Sequence, residues 1–143
     1  MNEGFRLLDP VRQASAVKVL RAILPAESVL FEHYTVQLAN TVDKVLRKHG
    51  KDIAEMQYTQ RRVADITIDL YALAAVLSRT TRAIERKGED GARREIELTA
   101  AFANAAEKRL QGLVGQFDNN DDELLKGIAT RSYADGQYPF DVI

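Results

Sequence analysis

Apolar residues along this chain recur at spacings of three and four, the mark of helices that bury one face. Glycine, proline and asparagine cut the pattern into five segments. Residues 5–24 read as a short first helix interrupted early by Pro10. Pro25 then breaks or restarts the chain, because proline suits the first turn of a helix and not its interior. Segment 26–49 sets Leu30, Tyr34, Leu38, Val42, Val45 and His49 on one face, with Gly50 a candidate C-cap.

Segment 51–87 carries the strongest signal. Met56, Val63, Leu70, Leu77 and Ile84 recur every seven residues, with Ile66 and Leu73 between them. Ile68, Tyr71 and Val76 fall off this stripe, which predicts a helix covered on more than one side. At about 1.5 Å per residue the helix would reach roughly 55 Å, so the fold should be elongated.

Gly88-Glu89-Asp90-Gly91 reads as a turn, and segment 92–117 repeats the pattern with Ile96, Thr99, Ala103, Ala106, Leu110, Leu113 and Phe117. Ala100, Ala101, Ala103, Ala105 and Ala106 would let a neighbouring helix approach closely. After a second turn at Asp118-Asn119-Asn120, Asn120 and Glu123 resemble a capping box. The last helix, 121–134, is expected to bury Leu124, Leu125, Ile128 and Tyr133. Gly136 would release a tail whose Tyr138, Phe140, Val142 and Ile143 look like docking residues.

No stretch alternates at period two like a strand. Short turns between antiparallel amphipathic helices predict an all-α, elongated up-down bundle of four main helices plus a short N-terminal helix. The expected organisation is an N-terminal amphipathic helix or linker over 1–25 and a bundle domain over 26–143.

Charge and composition narrow the chemistry. With 20 basic and 21 acidic residues the net charge is −1, which offers no case for nucleic acid. The absence of cysteine excludes disulfides, thiolate metal sites and a cysteine nucleophile. No apolar run approaches the roughly 20 residues of a membrane span, and the first residues lack a signal peptide's pattern, so a soluble intracellular protein is expected.

His33 and His49 make no Glu-x-x-His pair, so a di-iron ligand set is missing. The serines have no nucleophile-elbow context. Gly112-Leu113-Val114-Gly115 lies within a helical pattern without a following basic residue, and reads as close packing or a bend, not a phosphate loop. Asp65 and Asp69 lie one helical turn apart and would suit a metal or acid–base pair, but Arg61 and Arg62 just before them favour an ion-pair ladder, within the helix or across a helix interface. In residues 5–24 the apolar positions alternate with Arg6, Arg12, Lys18 and Arg21 against the single acid Asp9. Such a face can pack on the bundle, or contact an anionic membrane or a partner.

The run from Gln60 through Arg61-Arg62-Val63-Ala64-Asp65-Ile66-Thr67-Ile68-Asp69-Leu70-Tyr71 to Val76-Leu77-Ser78-Arg79 resembles acyl-CoA dehydrogenases, as does the preceding Val42–Gly50 stretch. The similarity is to the appended C-terminal domain of the very-long-chain type and covers about residues 27–110. The resemblance implies a parent flavoprotein that uses FAD in fatty acid β-oxidation, removing an α-proton by a glutamate while hydride moves to the flavin. It implies partners in the parent's catalytic domains, a homodimer formed through the parent, and a place in the cytoplasm or mitochondrial matrix with a peripheral contact at the inner membrane. Residues 5–24 fall where the family's membrane segment ends or its linker runs.

The chain has no Tyr-Glu-Gly segment and no Gln-x-x-Gly-Gly flavin-contact segment, so no catalytic, cofactor-binding or metal residue carries over. The alternatives to an accessory domain are a free-standing helical interaction module of related ancestry and a small bundle enzyme or carrier.

Overall fold

The computed structural model describes residue 18 and residues 20–136, and all regular structure among them is helical. Helix α1 spans Pro25–His49, α2 spans Gln57–Gly91, α3 spans Arg93–Gly115 and α4 spans Asp122–Asp135. A 3-10 turn over Gly50–Glu55 joins α1 to α2.

Each boundary has a local cause. Pro25 opens α1 behind a non-helical Leu24, where its missing N–H costs nothing. Gly50 closes α1 at φ 54°, a region hostile to a side chain, and its N–H reaches the carbonyl of Leu46. The 3-10 turn is then closed from α2, where Gln60 Nε2 donates to the carbonyls of Ile53 and Ala54 at 2.7 and 3.0 Å.

The reversal expected over Gly88–Gly91 is tighter than a four-residue turn. Gly88 alone takes a non-helical conformation, φ 73° and ψ 172°, and helical geometry resumes on both sides. No side-chain-bearing residue adopts that φ cheaply.

Helices α2 and α3 form an antiparallel hairpin with one constant register. Arg62 lies beside Gln116, Asp69 beside Arg109 and Thr80 beside Thr99. Helix α1 runs antiparallel to α2, and Tyr34 shares a core with Ile66, Leu70, Ala106 and Leu110. A second core layer joins Leu24, Leu73, Leu77, Ile84, Ala92 and Ala103. Leu20 and Ile23 pack against this layer, so the described end of the 5–24 segment faces the bundle.

The buried stripe of α2 runs through Thr59, Arg62, Ile66, Leu70, Leu73, Leu77, Thr80, Thr81 and Ile84. In α3 it runs through Thr99, Ala103, Ala106 and Leu110, while Ala101 and Ala105 are exposed.

Several expectations need correction. Leu124, Leu125, Ile128 and Tyr133 are 59%, 45%, 45% and 87% exposed, and no residue of α4 is buried, because no other helix covers its apolar face. Ile68 and Tyr71 are likewise exposed, so α2 is covered on its core side and not on its far side. The capping box does not form: Asn120 Oδ1 accepts from the Asp122 N–H at 3.2 Å, one residue short of the reciprocal pattern, and the N-cap residue Asp121 makes no side-chain cap bond. A Cβ at Gly112 or Gly115 would meet nothing within 4 Å, so neither glycine serves close packing. The tail, Tyr138 to Ile143, lies outside the described residues.

Candidate functional site

Three polar arrangements stand out from the apolar core, and each joins helices. The first is the corner between α3 and α4. Arg62 comes from the buried stripe of α2, and its stem passes between the helices before its head emerges at the corner. One terminal nitrogen donates to Asp122 Oδ2 at 2.7 Å, the other bonds Oδ1, and Nε reaches Gln116 Oε1 at 3.4 Å. The two side chains are 10% and 18% exposed, so the pair is shielded from solvent. The hydrogen bond from Arg62 holds the Asp122 carboxyl below its ordinary range, opposed by burial, and the same bond raises the Arg62 guanidinium. Asn120 completes the corner by donating to the carbonyl of Gln116 at 2.8 Å.

The second is an open cleft of about 450 Å³ on the α2–α3 face, lined by Asp65, Ile68, Asp69, Arg109, Gly112 and Gln116 among others. Asp69 and Arg109 cross it, with Arg109 Nη2 donating at 2.7 Å and Nε at 3.1 Å. Arg109 also lies 5.9 Å from the centre of the Phe102 ring. The bond to Asp69 raises the guanidinium further.

The third lies between α1 and α3. A groove of about 610 Å³ is lined by Pro25, Val29, Leu30, His33, Asn104 and Glu107, with others. The His33 and Tyr34 rings meet edge to face at 5.0 Å. Burial pushes the Tyr34 hydroxyl above its ordinary value, and the charge of Glu107 adds to this.

The residues singled out in the sequence are therefore divided. Arg61 and Asp65 pair within α2 at 3.7 Å. Arg62 pairs with Asp122 of α4 rather than Asp65, and Asp69 pairs with Arg109 of α3. Asp65 and Asp69 line the same cleft, each paired with its own arginine, and among the described residues no group of three or more acidic or histidine side chains is arranged to hold an ion. Lys18 is exposed, and Arg21 reaches Glu32 at 3.3 Å on the surface. Arg6 and Arg12 lie outside the described residues. Asp122 and Arg109 were missed in the sequence, where Asp122 reads only as an acidic helix start.

An all-α hairpin of two long helices, with α1 packed against it and ion pairs between its helices, defines the class of an all-α helical domain. The family described as "ACAD9/ACADV, C-terminal domain" matches residues 23–138, and the chain belongs to that family. It is 35% identical over 100 residues, 68% of this chain, to the mitochondrial very long-chain specific acyl-CoA dehydrogenase of Bos taurus. The Homo sapiens protein of the same description is also 35% identical over 100 residues, and that of Mus musculus is 37% identical over 75 residues, 52% of this chain. The chain spans about 15% of the length of the first of these relatives. No solved structure matches it. Among the described residues no helix is long and apolar enough to cross a membrane.

Proposed function

We propose that this chain works as the C-terminal accessory bundle of an acyl-CoA dehydrogenase and performs no chemistry of its own. The parent would carry FAD and oxidise acyl-CoA thioesters in fatty acid β-oxidation, in the mitochondrial matrix or the cytoplasm. The bundle, residues 26–143, braces the catalytic body, with residues 1–25 as the linker that reaches it. Through that body the parent would be a homodimer held near the inner membrane, and the basic residues Arg6, Arg12, Lys18 and Arg21 are the candidate membrane contact.

The observation that carries this reading is the groove between α1 and α3. Val29 and Val36 on the outer side of α1 are 64% and 60% exposed, and Val29 lines the groove beside Leu30 and His33. A helix that half-buries its core face and also exposes valines on its outer line suits a surface covered by another domain. The hairpin behind it is stiff enough to act as a brace, since the Thr80–Thr99 bond and the Asp69–Arg109 pair both lock α2 to α3.

The test reads the mass of the native protein. An antibody against this bundle should reveal, in an extract of the source cells, a band several-fold heavier than 16.0 kDa that copurifies with flavin. A band at 16.0 kDa would reject the accessory reading and favour the free-standing interaction module.

A further inference from the structure

The groove between α1 and α3 carries a polar set that a merely apolar contact does not require. Glu27, His33, Tyr34, Asn104 and Glu107 line it beside Val29 and Leu30, and no lysine or arginine does. Among the described residues neither glutamate has an ion-pair partner. Glu27 suits the first turn of α1, where an acid complements the helix start. Glu107 has no such reason. It lies within α3, and its neighbours three and four positions away, Ala103, Asn104, Leu110 and Gln111, are all without positive charge.

Tyr34 is an independent sign of a missing partner. It is only 7% exposed and lines the groove, yet its hydroxyl bonds to none of the described residues. Polar side chains buried to this degree are nearly always bonded. Glu107 is close enough for its charge to act on that hydroxyl, and the His33 ring meets the Tyr34 ring edge to face at 5.0 Å. The groove therefore gathers acceptor oxygens from two helices, backs them with aromatic rings and walls them with aliphatic side chains. That combination fits a guanidinium on its aliphatic stem. The planar fork donates in several directions at once and lies against aromatic rings, while the stem covers apolar surface. An ammonium is a compact point charge that holds its water more strongly, and a phosphate or carboxylate is repelled.

We propose that this groove receives an arginine side chain, set between apolar residues, from the catalytic body to which the bundle is attached; the assignment rests on the accessory reading above. The guanidinium donates to the Glu107 carboxylate from α3 and to the Tyr34 hydroxyl oxygen from α1. Glu27 adds negative charge, and Val29 and Leu30 take the stem and the apolar residues beside it. The arginine thus orients the bundle on the body, which apolar contact alone does loosely.

The test uses the parent protein with Asn104, at the edge of the groove, replaced by the photo-crosslinker p-benzoylphenylalanine. Irradiation should join position 104 to one segment of the catalytic body, and mass spectrometry should find in it an arginine with apolar neighbours. Glu107→Arg should then speed protease release of the bundle from the body at least about tenfold, as when one partner of a bonded charge pair is lost from an interface. Exchanging the identified arginine for glutamate in the same protein should restore slow release. Tyr34→Phe, which removes only the hydroxyl, should speed release to a smaller degree. Far-UV circular dichroism of the 143-residue chain checks that both variants fold. No crosslink, or one to a segment without arginine, to the bundle of a second copy or to another protein, would overturn the proposal. So would release indifferent to Glu107→Arg, or a charge exchange that fails to restore it. Any of these in a heavier, flavin-bearing parent rejects the arginine and leaves the accessory reading standing, whereas a native band at 16.0 kDa rejects both.

Discussion

Both terminal nitrogens of Arg62 on α2 bond the two carboxylate oxygens of Asp122, 60 residues later in the chain. No residue of α4 is buried, so this pair, with Asn120 beside it, sets the direction in which the helix leaves the bundle. A bidentate arginine–carboxylate contact fixes an angle as well as a distance, which a lysine would not do.

Arg62→Met should therefore cost about 2–3 kcal/mol in urea unfolding, the range for a shielded hydrogen bond to a charged group. Arg62→Lys should recover only part of that loss. Amide exchange through α4 should quicken in both variants while the α2–α3 core stays protected. Unchanged exchange in α4 would show that something other than this pair holds it.

Acid should weaken the same corner. Hydrogen bonding from Arg62 lowers the Asp122 carboxyl, from Lys44 the Asp118 carboxyl and from Lys87 the Glu95 carboxyl. A carboxyl held below its unfolded value contributes stability above that value and loses it as pH falls through the folded one. Stability should be flat near neutrality and fall below the ordinary carboxylate range. In Arg62→Met that fall should be shallower, because the Asp122 contribution has already gone. Denaturant midpoints taken at a series of acid pH values provide the comparison.

The buried hydroxyl pair predicts an asymmetry. Thr99 Oγ1 donates to the carbonyl of Glu95 at 2.8 Å, so its single proton is committed and Thr80 must be the donor in their 2.7 Å bond. Thr99→Val strands the Thr80 hydroxyl and should cost about 1–3 kcal/mol. Thr80→Val leaves Thr99 bonded and should cost less. Adding Thr80→Val to Thr99→Val should restore part of the loss, a double-mutant cycle readable by thermal unfolding.

A leucine in the core and a leucine on α4 should differ sharply in what their truncation costs. Leu73 is fully buried, and Leu73→Ala should cost about 2–5 kcal/mol through lost burial and a cavity. Leu125→Ala, in dilute solution, should change stability by less than about 0.5 kcal/mol.

The two kinds of glycine separate in the same way. Gly88→Ala should cost about 1–2 kcal/mol, purely from backbone conformation, since its Cβ would meet nothing within 4 Å. Gly112→Ala, in open space on α3, should gain about 0.5–1 kcal/mol. Melting curves of the two variants test the sign.

The helices are legible because each carries an apolar face, and the spacing of Ile66, Leu70, Leu73, Leu77 and Ile84 alone marks them as core. Thr59, Arg62, Thr80 and Thr81 share that face but escape a count of apolar residues. Their burial depends on hydrogen bonds, and in Arg62's case on a partner far along the chain. The exposure of α4 was illegible for a different reason. Periodicity says that a helix has an apolar side, but not whether the covering surface belongs to the same molecule. Asp65 and Asp69 illustrate the limit of spacing: neighbours on one face, they take different partners, Arg61 within the helix and Arg109 from α3.

The constant register of the hairpin makes it a ruler. Arg62 with Gln116, Asp69 with Arg109 and Thr80 with Thr99 are rungs at three heights, so one residue inserted into α3 between Thr99 and Arg109 would slide two rungs off the third. Length can change at Gly88, where the chain turns, because an insertion there leaves every rung aligned. Natural variation in the size of this bundle should therefore collect at the tip of the hairpin and spare its shaft.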